Sequence, residues 1–174
     1  MAKLVCGLNM SLDGYVDHDA FAPDAVVFRH FIDQVGYETA SVYGRRMYEI
    51  MRYWDEDQPG WEEAEREYAE AWRQQPKYVV SRTLTAVGPN ATLISKDAEA
   101  AIRRLKEDLP GEISIAGPEL ARNVARLIDE YQVYLHPVVA GAGKPFFAAR
   151  PPTLRLTGSE RIGASVIRLT YVPA

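Results

Sequence analysis

Apolar and polar positions alternate along the chain in two distinct periods. "KLVCGL" (3–8) is a compact apolar run, the pattern of a buried strand. "SLDGYVDHDAFAP" (11–23) carries turn residues without a helical period and reads as a loop. Val27, Phe28, Phe31, Ile32 and Val35 then recur at helical spacing, predicting a helix over 24–35 with Asp24 as N-cap after Pro23 and Gly36 as its end. "TASVY" (39–43) predicts a second core strand, and "RMYEIMRYW" a short helix behind Gly44. "GWEEAEREYAEAWRQQP" (60–76) is a strongly amphipathic, charged helix closed by Pro76. "KYVVS" (77–81) and "ATLIS" (91–95) read as strands. Residues 95–111 form a helix capped by Ser95 or Asp97 and stopped by Pro110-Gly111. "EISIA" (112–116) is a strand, 117–128 a helix, 129–141 a long strand, and two runs near 153–157 and 164–172 are β segments.

The β-α-β-α-β-α-β order implies a largely parallel sheet with helices on both faces. No helix separates the two closing runs, so they should pair antiparallel. No repeat, low-complexity segment or linker interrupts the pattern, and the expectation is one α/β domain.

Composition narrows the class. The 174 residues are 47% hydrophobic and 25% charged, with a formal net charge of −4. That balance gives no global electrostatic case for nucleic acid or an acidic membrane surface. Cys6 is the sole cysteine, which excludes an intrachain disulfide and a cysteine-based zinc site. "MAKLVCGLNM" lacks the apolar core and cleavage site of a signal peptide, and no apolar run approaches a bilayer span. A soluble, cytoplasmic protein is expected.

Three strand-to-helix turns could carry chemistry: Gly44-Arg45-Arg46, Ser81-Arg82-Thr83 and Gly117-Pro118-Glu119. In parallel sheets ligands sit beyond the carboxyl ends of the strands. A glycine at a helix start lets a phosphate approach unpaired N–H groups, and arginine adds a fork matched to phosphate oxygens. Each turn alone could be a solvated surface feature, Arg45 or Arg46 pairing with Glu49 or Glu38. Together they point to a ligand carrying several phosphates. "VVAGAGKPFF" is not a P-loop, because Pro145 follows Lys144 and the glycines are too close. Asp13, Asp17, His18 and Asp19 match no cation-loop spacing, and no metal is expected. His30 and His136 have no Ser or Cys partner at a triad-like spacing.

"MSLDGYV" (10–16), "VYGRRMYE" (42–49), "KYVVSRTL" (77–84) and "IAGPELARNVARLIDEYQVYLHPVVAGAGKPFF" (115–147) occur in an order that resembles small bacterial reductases of dihydrofolate-reductase fold. That group includes the reductase domain of bifunctional riboflavin-biosynthesis deaminase-reductases. The resemblance implies a three-layer α/β domain over 1–174, a mostly parallel sheet of about eight strands with an antiparallel C-terminal strand, and NADPH as cofactor. Gly44, Arg45 and Arg46 would face the 2′-phosphate, and Ser81 and Arg82 would flank the adenosine end. Gly117, Pro118, Glu119 and Leu120 would lie at the pyrophosphate. Asn9, Asp13, Gly14 and Tyr15 would border the nicotinamide.

Met47 stands where such proteins often have Thr, and Pro118 removes a backbone donor from the glycine turn. Both changes put cofactor affinity in question. The resemblance places a catalytic acid on the first helix, where Asp24 is the matching position; Asp24 is equally suited to capping. Asp13 is the other acid candidate, with a turn-forming role as its alternative. The expected activity is hydride transfer to a small pterin-like or pyrimidine heterocycle. A phosphorylated ribosylamino-pyrimidine is the alternative substrate, and a non-catalytic nucleotide-binding dimer the alternative of another class. No His-x-Glu with Cys-x-x-Cys occurs, so no zinc deaminase site is expected. The resemblance also implies a homodimer, with the alternating 129–141 strand as a surface a partner could cover.

Overall fold

The computed structural model describes all residues, 1–174. Its elements are β1 (Lys3–Met10), α1 (Ala25–Tyr37), β2 (Ala40–Gly44), α2 (Arg45–Met51), α3 (Glu63–Gln74), β3 (Lys77–Val80), β4 (Ala91–Ile94), α4 (Ala98–Asp108), β5 (Glu112–Ala116), α5 (Pro118–Asn123), β6 (Glu130–Leu135), β7 (Leu154–Ile162) and β8 (Val166–Pro173). All eight strands join one sheet in the order β4-β3-β2-β5-β1-β6-β8-β7. Every pair from β4 to β6 is parallel, and β8 runs antiparallel to both its neighbours. This is the mostly parallel sheet with an antiparallel C-terminal strand expected above.

The central strands bury side chains on both faces. On one face Ile102 of α4, Leu120 and Ala121 of α5 and Val124 just beyond it pack over Leu4, Cys6, Val42, Ile113 and Ile115. On the other, Trp72 of α3 and Tyr48 and Met51 of α2 close over Tyr43, Val79 and Ala116, while Val27 of α1 meets Tyr134, Ile162 and Val166. Burial of Cys6 pushes its thiol up to about 12, so it packs as an apolar side chain.

Several boundaries differ from the sequence pattern. Helix α1 continues through Gly36 to Tyr37 and breaks at Glu38, which turns extended while its N–H donates to Gln34 O. β6 ends at Leu135, because Pro137 has no N–H with which to continue the ladder. β7 reaches Ile162, well past 157; its polar stretch Thr157–Arg161 hides it, an edge strand having a wet outer side. The 117–128 helix is α5 followed by one 3-10 turn, Ala125–Leu127. No helix links β3 to β4; the parallel crossover runs through the irregular segment 81–90.

Beneath the C-terminal end of α1 the sheet is polar. Glu38 is 8% exposed, and its carboxylate accepts from Gln34 Nε2 at 2.9 Å and Gln75 Nε2 at 3.2 Å. Burial raises its pKa from 4.5 to about 7. Between those values the folded chain holds a proton that the unfolded chain has released. Stability therefore falls as pH rises from about 4.5 to about 7 and then levels off. Thermal melts of Glu38→Gln should lose this dependence, at most about 3 kcal/mol across the window; parallel wild-type and variant curves would contradict the assignment.

Candidate functional site

The carboxyl ends of β1, β2, β3, β5 and β6 open at one edge of the sheet, which brings together loops distant in sequence. Parallel register sets Tyr43 beside Ala116, so the turns that follow, at Gly44 and Gly117, lie side by side. A side chain begun at Gly117 would come within 3.7 Å of Gly44 N and 3.8 Å of its Cα. Gly117 adopts φ +121°, a conformation that L side chains rarely enter. The two glycines thus line an open cradle of backbone between the starts of α2 and α5. Leu120 is buried beneath it and packs toward Gly44, whereas Glu119 is exposed on the first turn of α5 and Pro118 is its first residue.

Three arginines border this cradle. Arg45 reaches from α2 toward the β3 turn, with Nη1 3.5 Å from Thr83 Oγ1, and Nε 4.0 Å from Glu49. Arg46 and Arg82 are exposed and join no ion pair. Ser81 is buried, and its Oγ accepts from the N–H groups of Thr83 at 3.2 Å and Leu84 at 3.1 Å, so it shapes the turn that presents Arg82. Met47 turns inward against the cluster around Tyr43, Tyr48 and Trp72. The Tyr48 hydroxyl accepts from Gly88 N at 2.7 Å, so its role is in the core.

A second group of loops borders the same edge from the β1 and β6 side. The segment 11–17 is stitched to 138–146. Asp13 Oδ1 accepts from Ser11 Oγ at 2.6 Å and Ala140 N at 3.0 Å, and Oδ2 from Gly141 N at 2.7 Å. These bonds hold its carboxyl down at about 2. Asp17 Oδ2 accepts from Lys144 N at 2.6 Å, Phe146 N donates to Gly14 O, and Tyr15 bridges Pro145. Gly143 has no alternative here, since a Cβ would meet Asp17 Oδ2 at 2.1 Å. Asp13 and Asp17 thus clasp backbone N–H groups, while Asp19 lies beside His18 at 3.1 Å.

Asp24 is likewise engaged. Oδ1 accepts from Val27 N at 2.9 Å, capping α1, and Oδ2 accepts from Ala164 N at 2.9 Å in the β7–β8 turn. The two bonds lower its pKa, so Asp24 is an ionised acceptor at neutral pH, as is Asp13. Both carboxylates thus act as tethers.

The residue that the sequence pattern passed over is His136. It follows β6 directly, is 3% exposed, and places Nε2 2.8 Å from Asn9 Oδ1 near the end of β1. Phe21 covers it, with ring centroids 4.8 Å apart. Sequence spacing could not have found this pair, because the two residues lie 127 positions apart and meet only through β1–β6 pairing.

Comparison with known proteins agrees with this architecture. The model of the RibD C-terminal domain matches residues 2–168. The Bacillus subtilis (strain 168) protein YyaP is 26% identical over 184 aligned residues, covering 97% of this chain and 94% of its own. A Shewanella sp. PV-4 structure assigned to riboflavin biosynthesis superposes with a TM-score of 0.70 at 22% identity, covering 100% of this chain and 99% of that one. The Thermotoga maritima diaminohydroxyphosphoribosylaminopyrimidine deaminase/5-amino-6-(5-phosphoribosylamino)uracil reductase superposes with a TM-score of 0.69 at 14% identity; 99% of this chain aligns to 57% of that one. With the match spanning nearly its whole length, the chain belongs to the RibD C-terminal domain family.

Proposed function

We propose that the chain is an NADPH-dependent reductase of a small pyrimidine or pterin-like heterocycle. The observation that carries this reading is the Gly44–Gly117 cradle with arginines at its rim. It fits a dinucleotide: backbone N–H groups at the starts of α2 and α5 would take the pyrophosphate, and Arg45, Arg46 and Arg82 would take a further phosphate. When bound, the cofactor supplies a hydride. Gly117 admits the phosphates by lacking a side chain, and Ser81 fixes the turn that carries Arg82. Asp13 and Asp17 tie the 11–17 and 138–146 loops together beside β1. Met47, directed into the core, offers the cofactor no hydroxyl, which leaves phosphate binding to the arginines and backbone.

Family membership and the reductase activity printed for the Thermotoga maritima protein support this reading. They also favour a pyrimidine ring. The loops 11–24 and 138–146 contain Asp13, Asp17, Asp19 and Asp24 against one lysine, Lys144. That balance disfavours a phosphorylated ribosylamino substrate there. A fluorescence titration with NADPH tests the proposal: saturable binding, weaker for NADH, is expected, and no saturable binding would sink it. Dihydrofolate and the phosphorylated ribosylamino-pyrimidine, each offered with NADPH, then distinguish the substrates.

A homodimer is part of the proposal, on a surface other than the 129–141 strand. β6 is sealed within the chain, Glu130–Tyr134 being buried between β1 and β8. The open surface is the neighbouring sheet face, where Leu156 (51% exposed) and Ile167 (41% exposed) flank Leu154, Leu169 and Tyr171. Light scattering should report a dimer that Leu156→Glu with Ile167→Glu converts to monomer; an unchanged mass would rule this face out.

No helix of the chain is long and apolar enough to cross a membrane.

A further inference from the structure

We propose that the cleft between α5 and the segment 146–151 binds a small aliphatic monocarboxylate, at a site separate from the Gly44–Gly117 cradle and independent of the reductase reading. The cleft lies on the α4–α5 face of the sheet. Cys6 of β1 and Tyr131 of β6, side by side in register, line it from the sheet. Pro118 and Ala121 of α5, with Ala125 in the turn that follows, keep the helix side shallow, and Phe146 and Phe147 close the opposite wall. The space inside is about 40 Å³, well below the roughly 150 Å³ that takes a benzene ring, so a short alkyl group fits and a ring does not.

One polar group in this lining has no partner. Tyr131 is 3% exposed, yet its hydroxyl makes no hydrogen bond within the chain. The hydroxyl is not sealed either, because Arg168 Nε is the sole side-chain polar atom that is both enclosed and unpartnered. It therefore opens onto the cleft that its residue lines. Buried hydroxyls are normally bonded, so this one is set to donate to an acceptor entering the cleft. Burial pushes the phenol up to about 12, which keeps that proton in place at neutral pH.

Charge decides which acceptor. The lining has two charged side chains, Arg122 of α5 and Arg150, both exposed at its rim and neither in an ion pair. Arg126, one turn beyond Arg122, is by contrast paired with Glu99. No carboxylate lines the cleft, and burial keeps the Cys6 thiol neutral, so the site favours an anion. A carboxylate accepts from a guanidinium fork and from a phenol O–H together. Its alkyl tail then covers the apolar floor, each buried methylene tightening binding by about fourfold. Inorganic phosphate could meet the arginines, but it leaves that floor unfilled.

Sodium butyrate titrated into the ¹⁵N-labelled chain tests the site. Saturable binding with a Kd of about 1 mM or tighter is expected. The amide signals of Ala121, Ala125 and Ala148 should move, and those of Gly44 and Gly117 in the cradle should not. Butyramide lacks the charge and inorganic phosphate lacks the tail, so each should bind at least about tenfold more weakly. Arg122→Gln with Arg150→Gln should also cost about tenfold, and Tyr131→Phe about three- to tenfold, with Tm unchanged because none of these groups has a partner to lose. Ala125→Leu, which fills the cleft, should abolish binding; if that variant fails to fold, the arginine variant decides. No saturable binding of butyrate overturns the proposal. So do equal affinities for butyrate and phosphate, shifts confined to Gly44 and Gly117, or unchanged affinity in the arginine variant.

Discussion

Replacing Arg45 and Arg46 together by alanine should weaken NADPH binding about 100-fold and change NADH binding less than about threefold. A hydrogen bond to a charged group contributes about 1.5–3 kcal/mol when its partner is present. These side chains are exposed, and water screens part of that gain, so about 3 kcal/mol for the pair is the reasonable sum. NADH lacks the 2′-phosphate and has nothing for either guanidinium to hold there. Neither arginine supports the fold: the Arg45–Glu49 contact is 4.0 Å long and exposed, a class of pair worth little. The melting temperature should therefore stay put, which separates lost recognition from lost structure. Isothermal titration with both dinucleotides at fixed salt gives the answer, and equal losses would refute the 2′-phosphate assignment. Arg82→Ala should add a smaller loss in the same direction.

Gly117→Val carries the second large effect, on binding and stability together. A β-branched residue at φ +121° stores about 1–3 kcal/mol of strain, which lowers Tm by roughly 3–10 °C in a domain of this size. The new side chain would also stand in the cradle beside Gly44 N and close the approach of a pyrophosphate. Gly44→Ala separates the two causes. Gly44 has φ −71°, which alanine adopts freely, and its Cβ would touch Leu120 Cβ at 3.6 Å, an ordinary contact. With its methyl against the buried Leu120 and not in the opening, Gly44→Ala should both melt and bind NADPH like wild type, which assigns any loss in Gly117→Val to position 117 itself. If Gly117→Val is destabilised yet binds NADPH normally, the cradle is structural only.

Much of this molecule was legible in its sequence. The apolar run at 3–8 marked β1 because a central strand is buried on both faces, and the helical spacing of Val27, Phe31 and Ile32 marked α1 because a helix buries one. The turns at Gly44 and Gly117 stood out for the same local reason: a chain passing from strand to helix needs a residue that permits the bend. β7 stood out only as far as 157. Its outward residues Thr157, Ser159 and Arg161 are polar, since an edge strand faces water and hydrophobic period is lost there.

The carboxylates show where local pattern stops being informative. Asp13 and Asp24 have the residue type and positions of proton donors, and local sequence offers a turn and an N-cap as alternatives without deciding between the roles. Their partners, Ala140, Gly141 and Ala164, lie 127 to 140 positions away. A pKa depends on which groups surround a carboxyl in space, and that is a tertiary quantity. The same holds for His136, which the sequence offered as a histidine without a nucleophile to serve.

The sequence by itself determined the order of strands and helices, the three phosphate-suited turns, and the likeness to dihydrofolate-reductase-fold proteins. The elements and turns rest on spacing within about a dozen residues, and the likeness on the order of four motifs between residues 10 and 147. Tertiary structure alone decided which side chains meet. β2–β5 pairing sets Gly44 against Gly117, and β1–β6 pairing sets Asn9 against His136. Backbone hydrogen bonds across the molecule turn two candidate acids into tethers. The physical reason is that strand register is a non-local choice, fixed by burying both faces of the sheet at once.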